Sequence, residues 1–186
     1  MGSIIKVNEY KDFNNNAIMT SDGAGNVTVN ASGLQNTPMM SAYMGANQTV
    51  SDATFTKIQY NTELYDTDSA YDYSTNYRFT VPSGKAGKYL IDASVYMLGN
   101  NNDEVRRAMG IYLNGSRVRK EEVASNYSTG QSSAGSLSIT SILNLSAGDY
   151  IEIFGYLDVN SGTPSFSGAS AAADRYSVLQ IAKMIG

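Results

Sequence analysis

An all-β antiparallel sandwich, preceded by a short β-hairpin arm, is the fold this sequence predicts, and three observations predict it. From Met39 onward, strand-length runs of β-branched and aromatic residues are separated at near-even intervals by Gly, Pro, Asn and Asp. The longest of these runs alternate in polarity with the period of two that a strand imposes. Only 16% of residues are charged while Ser, Thr, Asn, Gly and Tyr abound, a composition poor in helix formers and suited to a β-rich protein outside a cell or on a particle.

The stretch from Tyr71 to Leu98 organises the rest. Arg78-Phe79-Thr80-Val81 alternates polar with apolar, Pro82 ends the pairing, and Ser83-Gly84-Lys85-Ala86-Gly87 is a glycine-punctuated loop before a long strand from Lys88 to Leu98. Ile91, Ala93, Val95 and Met97 share one face of that strand. Leu90, Asp92, Ser94, Tyr96 and Leu98 share the other, which is too oily to face plain water. Such a strand is central in its sheet, or its back is covered by a second sheet or subunit.

Further strands are expected at Met40 to Met44, Phe55 to Leu64, Tyr77 to Val81, Ala108 to Leu113, Arg117 to Val123, Ser136 to Leu145, Tyr150 to Val159 and Tyr176 to Ile185. Asn114-Gly115 is the most specific hairpin signal in the chain, and Ser146-Ala147-Gly148-Asp149 is a second tight connection. Leu137, Ile139, Leu143 and Leu145 mark the core face of their strand, with Ile142 the apolar intruder on the outer side. The Arg117 to Val123 strand is charged on both sides and reads as a solvated edge. The last strand is apolar on both faces. Leu179 and Ile181, with Leu90, Tyr96, Leu98 and Ile142, are therefore the candidates for a subunit seam.

Residues 1–36 differ in texture, and the boundary with a head of residues 37–186 falls between Leu34 and Pro38. Short β-like pieces at Ile4 to Val7, Ala17 to Thr20 and Asn26 to Val29 are joined by Asn14-Asn15-Asn16 and by Asp22-Gly23-Ala24-Gly25, a hairpin turn. That turn lacks the Lys-Ser/Thr of a phosphate loop. The pieces cannot enclose a core alone, so the arm is disordered, packs on the head or winds with copies of itself, and its strands favour ordered packing over a pure linker.

Composition bounds the chemistry. At 186 residues the chain suits one domain plus an extension, with roughly 70% of the unfolded surface buried. No cysteine means no disulfide or thiolate site. No histidine removes the commonest general base and zinc ligand, and with them serine- or cysteine-histidine catalysis. A net charge of −4 argues against a nucleic-acid partner. No apolar run is long enough for membrane insertion or, at the amino terminus, for a signal peptide, so if the protein ends up outside a cell another route carries it there, release of assembled particles by lysis being one. Asn-x-Ser/Thr triplets at Asn26, Asn30, Asn47, Asn114, Asn126 and Asn144 are what this composition produces by chance.

Asp66, Asp68 and Asp72 form the densest run of carboxylates, but a calcium loop of the EF-hand kind would need a glycine bend and a closing glutamate that are missing. A solvated loop is the expectation, with no metal and no cofactor. Paired carboxylates also serve glycosidases, yet tryptophan and histidine are absent from any sugar cleft here. Arg106, Arg107, Arg117, Arg119 and Lys120 are interleaved with Asp103, Glu104, Glu121 and Glu122, the pattern of a solvated surface. Among the 14 tyrosines, Tyr127, Tyr43 and Tyr10 lie near loops or edges, and Tyr127 and Tyr43 are the host-binding candidates.

The order of signals from Phe55 onward resembles the globular head of complement 1q and the related tumour-necrosis-factor jelly roll. The matching pieces are Asn61-Thr62-Glu63-Leu64-Tyr65-Asp66, Tyr71-Asp72, Phe79-Thr80-Val81-Pro82, Gly87-Lys88-Tyr89, Tyr112-Leu113-Asn114-Gly115, Leu143 to Tyr150 and Phe166-Ser167-Gly168. An insertion from Ala169 to Ala173 and a tail to Gly186 depart from the pattern. Ahead of it, SIIKVNEY and AIMTSDGAGNVTVN are similar to the amino-terminal arm of short bacteriophage virion proteins. The resemblance implies an antiparallel jelly-roll head, a homotrimer, an arm that anchors it to other virion proteins, and no enzymatic activity. The expected function is a tail-fibre, tail-tip or head-fibre component located in the virion, binding a host surface glycan or protein or joining virion parts. The rivals are a glycan-cleaving depolymerase and a cellular secreted adhesion module of the same fold.

Overall fold

The chain folds into a small three-stranded arm and a two-layered antiparallel head, seen in a computed structural model that describes residues 7–30, 36–99, 104–124, 134–169, 171 and 175–184. No helix occurs among these residues. The arm consists of β1 (Glu9–Lys11), β2 (Ala17–Ser21) and β3 (Val27–Val29), hydrogen-bonded in that order. Its turns are held by carboxylates. Asp12 accepts from the amides of Asn14 and Asn16, and Asp22 from those of Ala24 and Asn26, so each turn is closed locally. The expected strand at Ile4 to Val7 lies almost wholly outside the described residues, and the first described strand begins at Glu9.

The head strands are β4 (Met39–Tyr43), β5 (Gln48–Thr49), β6 (Thr56–Lys57), β7 (Thr62–Asp66), β8 (Tyr71–Asp72), β9 (Arg78–Thr80), β10 (Gly87–Leu98), β11 (Glu104–Leu113), β12 (Ser116–Ala124), β13 (Ala134–Leu145), β14 (Tyr150–Val159), β15 (Ser165–Ser167) and β16 (Val178–Lys183). One sheet runs β5-β15-β10-β16-β4-β7, with β13 along the free side of β10. The other runs β12-β11-β14-β9-β8, with β6 also on β14. From β10 onward the chain weaves between layers: β10 in the first sheet, β11 and β12 in the second, then β13, β14 and β15 by turns. This is an antiparallel jelly roll, and it sits where an all-β sandwich is expected.

β10 is central, one of the two arrangements its polarity allows. Tyr89, Ile91, Ala93, Val95 and Met97 are fully buried against Met109, Ile111, Ile151, Ile153 and Leu157 of the second sheet. Each large aliphatic buried this way contributes about 1.5–3 kcal/mol. Gly155 of β14 leaves the space that the Phe166 ring of β15 fills from the facing sheet; a Cβ there would stand 2.5 Å from that ring. Asn114 and Gly115 take the left-handed conformation of a two-residue hairpin, with φ of 52° and 79°, and pair β11 with β12. The second tight connection locks to the first, since Asn114 donates to Asp149 and accepts from the Tyr150 amide.

Two expectations change. The single strand from Phe55 to Leu64 is two, β6 on β14 in the second sheet and β7 on β4 in the first. Between them the chain crosses the edge of the sandwich with Ile58 and Tyr60 buried. The Tyr60 hydroxyl donates to the Ser94 carbonyl and accordingly stays protonated, because burial pushes it well above its ordinary value. Arg107 is not part of a solvated surface either. It is buried beside Glu104 with Nε 2.6 Å from the carboxylate, against Gly135 of β13, whereas β12 is the charged edge strand expected.

Candidate assembly surface

Each sheet turns one face to the core and one away from it, and the two outer faces differ in kind. On the first sheet, register places outward-facing side chains in rows across four or five strands. Ile142, Leu90, Ala182 and Met39 form one row, through β13, β10, β16 and β4. Thr140, Asp92, Gln180, Ser41 and Tyr65 form the next, and Ser138, Ser94, Val178, Tyr43 and Thr62 the third. Asp92 carries the one charge in these rows, and it accepts a hydrogen bond from Thr140. Ile142 is 55% exposed, Leu90 38% and Tyr65 47%. A hollow of about 150 Å³ opens between Leu90 and Tyr65, lined also by Asp92, Gln180 and Ala182. At the far end Tyr96 and Tyr176 pack ring against ring with centroids 5.5 Å apart, and Leu98, half-buried, pairs with Ser165 of β15.

The outer face of the second sheet is aromatic and ionic. Phe55, Tyr112, Phe154 and Tyr156 form a chain of ring contacts, with the Arg117 guanidinium 4.9 Å from Phe55 and that of Arg106 4.8 Å from Tyr156. Charges there are matched: Lys57 with Glu152, Arg106 with Asp158, Lys120 with Glu122, Arg119 with Glu121. Lys120 holds the Glu122 carboxyl below its ordinary range. A face of paired ions and stacked cations is stable in water, whereas a row such as Ile142-Leu90-Ala182-Met39 gains by leaving it.

Of the seam candidates, Leu90, Tyr96, Leu98 and Ile142 do face outward on the first sheet. Leu179 and Ile181 do not. They lie opposite Ala93 and Ile91 and share the pleat of those core residues, so both are 1% exposed. The outward residues of β16 are instead Val178, Gln180 and Ala182. A strand apolar on both sides carries no parity signal of its own; only its register on β10 decides. Tyr43, a host-binding candidate, is buried as well, because the Arg175 guanidinium lies 4.1 Å over its ring. Tyr127 lies outside the described residues, and Tyr10 is 57% exposed on the arm.

The three aspartates do not converge. Asp66 accepts from the amides of Asp68 and Tyr71 within its own loop, and Asp68 pairs with Lys85 at 3.4 Å. Asp72 accepts from the amides of Ser74, Thr75 and Asn76 and from the Asn76 side chain, contacts led by Thr75 that hold its carboxyl far below the ordinary range. The same Asp-x-x-x-Asn arrangement closes the turns at Asp12 and Asp22. This repeated spacing was the available signal that Asp72 builds a turn.

No protein-family model matches the chain, and no curated protein matches it. Among solved structures, the chain is similar to the Eiger tumour necrosis factor of S. frugiperda, with a TM-score of 0.52 at 14% identity over 79% of this chain and 93% of that one. Murine APRIL gives a TM-score of 0.52 at 11% identity over 79% and 98%. The globular domain of zebrafish complement 1qA gives 0.47 at 16% over 78% and 93%. At such identities the first two likenesses show the jelly-roll fold that the order of turns led one to expect.

Proposed function

We propose that the chain is a non-enzymatic structural protein of a bacteriophage virion, a tail-fibre, tail-tip or head-fibre component whose head forms a homotrimer. The observation that carries the assembly part is the row Ile142-Leu90-Ala182-Met39, on an outer face whose three central rows hold Asp92 as their one charge, with Lys88 and Arg175 beside them. Packing that face against sister heads removes Leu90 and Ile142 from water at little cost in desolvated charge. The ionic face of the second sheet then stays outside, available to a host surface or to neighbouring virion proteins. Three modest sites on one rigid head raise binding through avidity. The virion setting is supported by the likeness of the arm sequence to virion arms, and the arm is the attachment element.

Two experiments test this reading. Incubating the protein with host polysaccharide is expected to release no new reducing ends, and their appearance would replace it with a depolymerase. Protein beginning at Thr37 is expected to fold but stay out of particles, and its incorporation would remove the attaching role of the arm.

A further inference from the structure

The arm is a sheet with one oily side and nothing of its own chain paired to it among the described residues. Register puts Tyr10 beside Met19, Met19 beside Val29, and Ser21 beside Val27, so these residues share one face. Tyr10 is 57% exposed, Met19 39% and Val27 61%, and with Val7 they line a hollow of about 210 Å³. The opposite face is mostly polar: Glu9, Thr20 and Thr28 lie side by side, Glu9 pairs with Lys11 at 3.0 Å, and Ile18, half-buried, is its apolar member. A lone sheet of three- to five-residue strands with an uncovered apolar face is marginal in water.

We infer that this face is covered by the arms of sister chains, three sheets packing Tyr10, Met19 and Val27 into one dry seam with Glu9, Lys11, Thr20 and Thr28 outward. The inference rests on the trimeric reading above. Asn30 is joined to Asn36 by a span of chain reaching at most about 20 Å. That chain enters the head at Met39, the last member of the row Ile142-Leu90-Ala182-Met39. Trimerised heads therefore root three arms at the seam itself, at an effective concentration in the millimolar range, which no partner free in solution matches. The outward face carries a neutral Glu9–Lys11 pair, so three copies side by side do not repel. The attachment unit is then a three-arm bundle presenting a polar surface.

The absence of native cysteine makes a direct test clean. In full-length Met19→Cys protein at low micromolar concentration, mild oxidation is expected to give covalent dimers from two of every three chains, because the head offers no thiol and the sulfurs must approach within disulfide reach. Adding Tyr10→Lys and Val27→Lys to the same chain is expected to slow that cross-link about tenfold or more while light scattering still reports a trimer. A trimer that forms no cross-link places the arms apart and overturns the inference, as does a cross-link indifferent to the lysines, which would mark arms that merely collide. A monomer mass in the unoxidised Met19→Cys protein overturns the trimeric reading, and this inference with it.

Discussion

The two outer faces of the head come from one chain, on strands of similar length, and they meet solvent in opposite ways. The face on β11, β12 and β14 offsets its cations with Asp158, Glu121, Glu122 and Glu152 and stacks the guanidinium groups of Arg106 and Arg117 on rings. The face on β13, β10, β16 and β4 spends its central positions on Ile142, Leu90, Ala182, Met39, hydroxyls and amides, with Asp92 the charge within those rows, Lys88 beside them on β10 and the Arg175 guanidinium over Tyr43. Neutrality, more than hydrophobicity alone, separates a surface that can be desolvated from one that cannot, since each ion taken from water costs several kcal/mol unless it is well paired. The arm repeats the contrast on a smaller scale.

The largest expected effect comes from making the neutral face ionic. Leu90→Arg with Ile142→Arg places two unpaired cations in the seam, which is expected to weaken assembly about a thousandfold or more and to lower the mass in light scattering to that of one chain. A variant that keeps the parent mass would assign the seam to another surface. Next comes the buried ion pair under the second sheet. Glu104→Ala strands Arg107, whose partner was 0% exposed at the side chain, and is expected to cost about 3–5 kcal/mol in urea unfolding. A loss well under 1 kcal/mol would show that Arg107 finds another partner.

Gly155→Ala drives a methyl into the Phe166 ring and is expected to cost about 1–3 kcal/mol without changing the mass, so it separates loss of sandwich packing from loss of assembly. Acid acts through the turns. The Asp72 carboxyl is lowered in the folded head by its amide donors, so the stability it contributes is present above the unfolded carboxylate value and is lost as pH falls through the acid range. The urea midpoint is expected to hold near neutrality and decline below about pH 5, less steeply in Asp72→Asn. The smallest effect is expected on the ionic face: Lys120→Ala should leave both mass and unfolding midpoint indistinguishable from the parent, because its exposed pairing with Glu122 is screened by solvent.

What sequence disclosed depended on whether the deciding signal was local. The two faces of β10 and the turn at Asn114-Gly115 were legible, because alternation and a positive-φ pair are written within a few residues. The fate of Leu179 and Ile181 was not, since a strand oily on both sides takes its parity from a partner strand far away in the chain. Tyr43 looked exposed until Arg175, distant in sequence, covered its ring. The break between β6 and β7 hid inside a continuous β-like run, because Ile58 and Tyr60 keep the strand pattern while the chain changes sheets. The Asp-x-x-x-Asn turns were legible in principle, but the reading of Asp66 to Asp72 stopped at a solvated loop and did not see that Asp72 builds a turn.

The central claim is that the neutral face is a subunit seam, and the mass of the full-length protein in solution tests it most directly. Light scattering at micromolar concentration is predicted to give three times the 20.0 kDa of the chain. A mass of one chain under those conditions would contradict the account.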